Sequence, residues 1–267
     1  MKFKRMFVIV RDSVGIGAEP DADKFFNAGH NDVGSNTWVH ISEKCKGLNI
    51  PNRNALGLHD LGNVLGTEEV KHPHSYVQTR REASNGKDTL TGHWERMGIK
   101  TENPLVTFTE TGFPKELIDE LEKRTGRKVI GNYSSSGTEI LKVLGEQQRK
   151  EGSLIVYTSA DSVLQIAAHT DTVPLEELYR DCEIAREITR KKEWRVGRII
   201  ARPFIGPDKD HFVRTSDRRD YSLKPSGRTA RMDLQDANKE VVAIGKIHDI
   251  FAGVGCDLSE HIVSNHD

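Results

Sequence analysis

Short apolar runs recur along the chain and are separated by stretches of mixed polarity. Each run is brief, rich in branched side chains and bounded by glycine or polar residues, which is the pattern of a strand buried on both faces. The runs that we predict as strands in the second half of the chain are 129–131, 154–157, 196–201 and 241–244.

Between these runs, apolar residues recur at helical spacing. Residues 114–124 and about 174–191 each carry an apolar face, so we predict two amphipathic helices there. Ser136 and Glu139 form a capping box, which predicts a third helix that ends at Gly145. The alternation of strands and helices through this region predicts an α/β unit.

A further apolar run lies near the N-terminus, at residues 7–10, and we predict it as a buried parallel strand. Asp12 follows in a loop with Gly15 and Gly17, and loops at that end of a parallel strand often carry chemistry. The loop lacks the spacing of a dinucleotide fingerprint, whereas a carboxylate held by a strand end suits Mg²⁺ or Mn²⁺. An Asx turn or a helix cap accounts for Asp12 equally well.

The segment from 18 to 87 has weaker periodicity and is rich in glycine, asparagine, aspartate and histidine. We predict one helix in it, near residues 37–46.

Composition excludes several classes of protein. The 267 residues are 36% hydrophobic and carry a formal charge of −1, so a folded protein that binds a small ligand fits better than one attracted to nucleic acid or anionic membranes. The three cysteines are widely spaced without a paired motif, which indicates a reducing compartment. The apolar run at 6–10 is too short for a signal peptide or a membrane span.

The segment with the densest chemistry is GKDTLTGHWE, residues 86–95. A threonine hydroxyl is a weak nucleophile at neutral pH, so Thr89 would need a base or a metal ion, and a metal would link it to Asp12. Composition alone favours a simpler interpretation, in which Asp88 or Thr89 caps a helix.

The second half of the chain also contains a group of basic residues that could hold a sugar phosphate, because guanidinium groups match phosphate oxygens in pairs. Each of them taken alone is more typical of an ordinary surface position. The residues are Arg198, Arg202, Arg214, Arg218, Arg219 and Lys224.

Several longer motifs occur in order along the chain. They are DSVGIG at 12–17, PDA at 20–22, GKDT and TGHWE within 86–95, KVIGN at 128–132, SGTEI at 136–140, VYTSADSVLQIAA at 156–168, IARPF at 200–204 and IGKI at 244–247. In this set and order the chain resembles the phosphopentomutases. Several long motifs together are far more specific than any single loop.

The resemblance implies an α/β fold with an alkaline-phosphatase-like core and an inserted smaller α/β cap. Residues 1–100 and 225–267 would form the core domain, which holds metal and phosphothreonine, and residues 101–224 the cap, which recognises the sugar. The family's later metal-binding motifs, which resemble DHGND and GTDHT, do not occur before Asp267. We therefore expect a C-terminally truncated chain with an incomplete core.

The activity that the resemblance implies is the interconversion of ribose or deoxyribose 1-phosphate and 5-phosphate through a phosphothreonine and a 1,5-bisphosphate. Thr89 matches the phosphorylated threonine, and Asp12 and Thr89 match metal ligands of a centre with two Mn²⁺ ions. With only these two ligands present, we do not expect this chain to bind two ions. The positions that match contacts to the sugar phosphate are Ser159, Asp161, Val163, Arg198, Ile200 and Lys246.

Three charged residues depart from the expected pattern. Arg11 follows the predicted strand at a position where we expect an apolar residue, on the opposite sheet face from Asp12, and a buried unpaired cation there would cost stability. Arg96 follows the TGHWE motif, and Asp181 falls within the apolar stripe of a predicted helix, and both raise the same concern.

The expected partner is a small pentose phosphate, with no nucleic-acid or membrane partner, in the cytoplasm and in nucleoside catabolism. The sequence does not indicate an oligomeric state. One alternative is another metal-dependent phosphomutase or phosphatase of the same superfamily. A second is that this chain acts only as a sugar-phosphate-binding module.

Overall fold

A computed structural model describes residues 3–11, 14–27 and 29–262. The described residues divide into two compact units, one within Met1–Phe26 and His30–Arg81 and the other within Asn27–Gly29 and Glu82–Asp267. No helix in the described ranges is both long and apolar enough to cross a bilayer.

The first unit is built from short elements. Its helices are α1 (Thr37–Lys44) and α2 (Pro51–Ala55), and the two-residue strands β1 (Phe26–Asn27) and β2 (His30–Asn31) precede them at the point where the division between the units crosses the chain. The α1 helix confirms the helix predicted near 37–46, and it starts where the Asn36 side chain accepts a hydrogen bond from the Val39 N–H at 3.3 Å.

The strand predicted at residues 7–10 is absent from the described structure. These residues have no regular secondary structure, and the side chains of Phe7 and Ile9 are 76% and 80% exposed. No described strand of this unit pairs with residues 7–10. An extended segment without a neighbouring strand has no hydrogen bonds to another strand and no packed face that would stabilise it as part of a sheet. Apolar composition alone was therefore insufficient to predict a buried strand here.

Two of the expected buried cations are exposed instead. The Arg11 guanidinium lies over the ring of Trp38, 4.8 Å from its centroid, because the segment before it is not held in a sheet. Arg96 lies on the exposed side of a helix and donates to the carbonyl of Gly92 at 3.0 Å. The predicted cost of burying these charges is wrong for both residues.

The second unit contains the remaining elements. Its helices are α3 (Thr89–Arg96), α4 (Lys115–Thr125), α5 (Gly137–Glu151), α6 (Leu175–Ile188), α7 (Ala230–Asp236) and α8 (Ile247–Ile250). Its strands are β3 (Val129–Ser134), β4 (Leu154–Thr158), β5 (Val163–His169), β6 (Arg198–Ile205), β7 (Val213–Arg214), β8 (Arg219–Ser222), β9 (Val242–Ile244) and β10 (Leu258–Glu260).

The main sheet has the order β3-β4-β5-β6-β7, with β8 also paired to β6. The pairs β3/β4 and β5/β6 are parallel, and β4/β5, β6/β7 and β6/β8 are antiparallel. Strands β9 and β10 form a separate parallel pair. The unit is thus a mixed α/β fold, as the alternation in the sequence predicted.

Helices cover both faces of this sheet. The apolar residues of α4 and α6 pack against one face of β4, β5 and β6, and the apolar residues of α5 pack against the other. Strands covered on both sides are mostly apolar, and β4 and β5 are buried throughout. The predicted helices at 114–124 and 174–191 and the predicted strands at 129–131, 154–157, 196–201 and 241–244 are confirmed, with shifted ends.

The predicted series of alternating strands and helices omits one strand. After β4 the chain turns directly into β5, which runs antiparallel to β4 and parallel to β6. Local pattern does not separate this run from a buried helix segment, because it is short and apolar and contains two alanines. Pairing with strands on both sides decides its conformation.

The α5 helix does not end at Gly145 as predicted. It continues to Glu151 and ends at Gly152, which has a φ of +66°. A Cβ on Gly145 would lie 2.5 Å from the ring of Phe212, so this glycine allows a close approach inside the helix. Packing against Phe212 explains why Gly145 lies inside the helix, although glycine by itself favours a helix end.

Asp181 is buried in the apolar face of α6, as its position in the sequence indicated. The residue is 0% exposed, and neither carboxylate oxygen has a hydrogen-bond partner among the described residues. Burial, together with the nearby charge of Glu177, raises the pKa of Asp181 to about 6. A buried unpaired carboxylate opposes folding when it is ionised.

We predict that Asp181→Leu stabilises the chain, and more so at neutral than at acidic pH. The folded pKa of about 6 lies above the unfolded value of about 3.9, so the penalty is absent below pH ~4 and complete above the folded pKa. Removing it should add roughly 2 kcal/mol to the free energy of unfolding at pH 7.5. Urea unfolding at pH 4.5 and 7.5 measures the difference.

The exposed Glu183 on the same helix provides a matched control. Glu183→Leu removes the same charge without relieving a buried one, so its effect should be small at both pH values. Equal effects of the two substitutions would contradict the assignment of this penalty to Asp181.

Candidate functional site

Asp88 is the N-cap residue of α3. One carboxylate oxygen, Oδ1, accepts the Thr91 N–H at 2.9 Å, and the other, Oδ2, accepts the Thr91 hydroxyl at 2.7 Å. Both residues are buried, and burial raises the pKa of Asp88 despite these two hydrogen bonds. The simpler interpretation of the sequence is therefore confirmed for Asp88, which caps α3.

Thr89, the first residue of α3, contacts a residue 72 positions later in the chain. Its hydroxyl donates to Oδ2 of Asp161 at 2.9 Å, and its N–H donates to Oδ1 of the same carboxylate at 3.3 Å. Thr89 is partly buried, and its side chain faces the Asp161 carboxylate at the N-terminus of α3, where the helix dipole is positive. Two sequence-predicted residues are thus in direct contact.

Asp161 joins Thr89 to a third predicted residue, Arg198 at the start of β6. The Nη2 of Arg198 donates to Oδ2 of Asp161 at 2.6 Å. The Ser162 N–H also donates to Oδ1 at 2.8 Å, which holds the carboxylate in place. Charge-assisted bonds of this kind are about twice as strong as neutral ones, so the group is well ordered.

The network extends through a residue that the sequence did not indicate. Arg198 donates to Asp220 through Nη1 at 3.2 Å, and Arg218 makes two bonds of 2.7 Å to the same carboxylate. Asp220 lies on β8, which pairs with β6 and places its carboxylate beside Arg198. The sequence RRDY at 218–221 is a weak signal of a functional site, since an ordinary exposed strand with mixed charges has the same composition. We call Thr89, Asp161, Arg198, Asp220 and Arg218 the Thr89 network.

The other predicted substrate-contact residues lie at different distances from this network. Ser159 accepts the Asp161 N–H at 3.5 Å, and the Val163 N–H donates to the Asp161 carbonyl at 2.9 Å. Ile200 is buried on β6, two residues after Arg198. Lys246 is exposed at the start of α8.

Of the two predicted metal ligands, the structure describes Thr89, whereas Asp12 lies outside the described residues. Within the described ranges, no group of three or more His, Cys, Asp or Glu side chains could hold a metal ion. Near Thr89, both oxygens of Asp88 and of Asp161 already accept hydrogen bonds. The assignment of Asp12 and Thr89 as metal ligands therefore stays a prediction.

Comparison with known proteins identifies a relative of nearly the whole chain. The curated phosphopentomutase of Agathobacter rectalis is 57% identical over 254 residues, which is 95% of this chain and 63% of the relative. The resemblance to the phosphopentomutases is confirmed. The chain spans less than two thirds of the length of this phosphopentomutase. No family model matches the chain.

We predict that Asp88→Ala lowers the free energy of unfolding by about 1–2 kcal/mol, because α3 loses its N-cap and the buried Thr91 hydroxyl loses its acceptor. Thermal and urea unfolding measure this change. Glu102→Ala, at an exposed position in the same unit, serves as the control. An unchanged unfolding midpoint for Asp88→Ala would show that α3 does not depend on this cap.

Proposed function

We propose that this chain carries the phosphothreonine and the sugar-phosphate contacts of a phosphopentomutase. The enzyme would interconvert ribose or deoxyribose 1-phosphate and 5-phosphate. The main support is the hydrogen bond from the Thr89 hydroxyl to Asp161, whose carboxylate is also bound by Arg198. A hydroxyl, an acceptor for its proton and a guanidinium of the kind that suits phosphate thus meet at one point, and the similarity to a named phosphopentomutase supports the same proposal.

In the proposed reaction, phospho-Thr89 gives its phosphoryl group to a hydroxyl of the pentose phosphate. The bond from phosphorus to the Thr89 oxygen breaks as the bond to the sugar oxygen forms, and the product is a 1,5-bisphosphate. The other phosphoryl group then returns to Thr89. The proton released by the sugar hydroxyl in the first step is taken up again in the second, so the net result is isomerisation.

Asp161 is positioned to handle the proton of Thr89. Its Oδ2 lies 2.9 Å from the Thr89 oxygen, within reach for accepting the proton when this oxygen attacks and returning it when this oxygen leaves. Thr89 also occupies the N-terminus of α3, where the helix stabilises negative charge on a phosphoryl group.

Arg198 would contribute charge to the same reaction. Its guanidinium lies between Asp161 and Asp220 and is mostly buried, so its orientation is fixed before substrate arrives. Displacing one of these carboxylates by a phosphate would exchange one charge-assisted bond for another. A preorganised cation of this kind stabilises the spread charge of a phosphoryl transition state.

Manganese remains part of this proposal as a prediction of the resemblance. When bound, divalent cations would neutralise charge on the transferred phosphoryl group. The donors named for it are Asp12 and Thr89. The resemblance also implies that the protein is phosphorylated. It would act in the cytoplasm, on pentose phosphates from nucleoside breakdown.

A second candidate function is a sugar-phosphate-binding module. One observation favours it for this chain: Arg198 and Ile200 lie on β6, and Asp161, in the turn between β4 and β5, is bound to Arg198, so three predicted contacts to the sugar phosphate are held within the second unit. Binding needs the network alone, and phosphoryl transfer also needs charge neutralisation at Thr89.

We predict that Thr89→Ala abolishes isomerisation of ribose 1-phosphate in the full-length protein supplied with Mn²⁺. Coupled assay of ribose 5-phosphate formation measures the loss, and mass spectrometry should detect phosphate on Thr89 of the parent only. Thr91→Ser, which keeps the hydroxyl that Asp88 accepts, is the control and should stay active. Retained turnover by Thr89→Ala would refute the assigned phosphoryl carrier. Free phosphate that forms faster than ribose 5-phosphate would favour a phosphatase.

For this chain alone, we predict that calorimetry detects ribose 5-phosphate binding that does not require Mn²⁺. Arg198→Gln should weaken it by about tenfold or more, because a charge-assisted bond to phosphate is lost. Arg195→Gln, a nearby arginine outside the network, should leave affinity unchanged. Binding that appears only with Mn²⁺ would contradict a metal-independent module.

A further inference from the structure

Glu95 lies in the last turn of α3, at the opposite end of the helix from Thr89. Its Oε1 accepts the Ala83 N–H at 2.8 Å, and its Oε2 accepts the Ser84 N–H at 2.6 Å. The two oxygens of one carboxylate thus hold two adjacent N–H groups of the backbone that leads into α3. We call residues 83–88 the entry segment. The proposed reaction assigns no role to Glu95.

The Glu95 carboxylate is held in its ionised form. Burial opposes the charge, but the hydrogen bonds from Ala83 and Ser84 and the nearby charge of Arg96 lower the pKa of Glu95. An ionised carboxylate only accepts hydrogen bonds, so each of its oxygens matches the N–H in front of it. Charge-assisted bonds of this kind are about twice as strong as neutral ones.

The helix that carries Glu95 is anchored in the second unit. Trp94 is 3% exposed, packs in one apolar cluster with Leu90, Ile99 and Ile250, and donates from Nε1 to the Ile250 carbonyl at 3.4 Å. Close packing fixes the residue before Glu95. Glu95 therefore holds the entry segment from a rigid base.

Further contacts hold the entry segment against the chain around it. The Asn85 N–H donates to the Thr101 carbonyl at 2.8 Å, and the Ser84 hydroxyl accepts the Thr101 N–H at 2.9 Å. A Cβ on Gly86 would lie 3.0 Å from the Thr91 hydroxyl oxygen, so the segment passes close to the first turn of α3. The path of the backbone into the helix is thus fixed at several points.

Phosphorylation would change what holds Thr89. The free hydroxyl donates to Oδ2 of Asp161 at 2.9 Å, whereas a phosphate ester has no hydroxyl proton to donate. The backbone contact does not depend on that proton, since the Thr89 N–H donates to Oδ1 of Asp161 at 3.3 Å. A phosphoryl carrier needs the same position when it gives and when it receives the group, because a misplacement of about 1 Å can cost about a hundredfold in rate.

We propose that Glu95 is a positioning residue, which holds the entry segment so that Thr89 keeps its place whether or not it is phosphorylated. This inference rests on the proposed function, in which Thr89 carries the phosphoryl group. Glu95 acts through the backbone of residues 83–88. Its loss should therefore lower kcat and leave KM for ribose 1-phosphate unchanged, because the proposed contacts to the sugar phosphate lie outside the entry segment.

The test is steady-state kinetics of the full-length protein with Mn²⁺ and ribose 1-phosphate. Glu95→Gln keeps the shape of the side chain but replaces one acceptor by an amide group that cannot accept an N–H, so kcat should fall by about tenfold. Glu95→Ala removes both acceptors and should lower kcat further. Glu102→Gln removes the same charge at an exposed position and should leave kcat and KM unchanged.

Gly86→Ala displaces the same segment without altering Glu95 or any charge, because its Cβ would press against Thr91. It should also lower kcat at unchanged KM. Thermal unfolding of each variant confirms that kinetics are measured on folded protein.

Hydrogen exchange of the 267-residue chain gives a readout that does not depend on catalysis. The Ala83 and Ser84 amides should exchange about tenfold faster or more in Glu95→Gln than in the parent chain, whereas amides in α6 should be unchanged. Unchanged exchange at both amides overturns the inference.

Normal kcat in folded Glu95→Gln and Gly86→Ala overturns the positioning role alone, as does a raised KM at unchanged kcat. Retained turnover in Thr89→Ala removes the phosphoryl carrier, and so overturns the proposed function together with this inference. The two failures are thus distinguished by which variant stays active.

Discussion

The Asp161 carboxylate is the contact on which the arrangement around Thr89 depends. It accepts from the Thr89 hydroxyl and from Arg198, and so joins the start of α3 to the start of β6. Hydrogen bonds to a charged group contribute about 1.5–3 kcal/mol each. Such bonds are strong enough to hold the side chains of Thr89 and Arg198 together, although the two residues are far apart in the sequence. Without Asp161, Thr89 would be an ordinary first residue of a helix, and Arg198 would have Asp220 as its one carboxylate partner among the described residues.

The parts of the fold that the sequence predicts well are those that local chemistry decides. The start of α5 follows from the Ser136 cap, and the buried side of α4 follows from Leu117 and Leu121, because caps and helical spacing act within one element. The role of Asp88 as a cap is equally local. Asp161 and Arg198 became candidates only through family resemblance, since no spacing rule connects them with Thr89.

Long-range packing decides the features that the sequence did not predict. Strand β5 is extended because β4 and β6 flank it, and Gly145 stays inside α5 because Phe212 packs against it. The run at 7–10 shows the converse, since its apolar composition is that of a strand and its described unit provides no neighbouring strand. Asp220 was missed for the same reason, because only the pairing of β8 with β6 brings it to Arg198.

Asp181 and Asp220, whose carboxylates are both largely covered, show how the second unit distributes its charge. Asp220 is shared by Arg198 and Arg218, and burial is tolerated because both of its oxygens are paired. Among the described residues Asp181 has no hydrogen-bond partner, so its charge opposes folding without serving the Thr89 network. The difference between the two residues is the presence of paired cations, since Asp220 has Arg198 and Arg218 beside it. Pairing, and not burial alone, therefore decides whether a covered carboxylate in this unit supports or opposes folding.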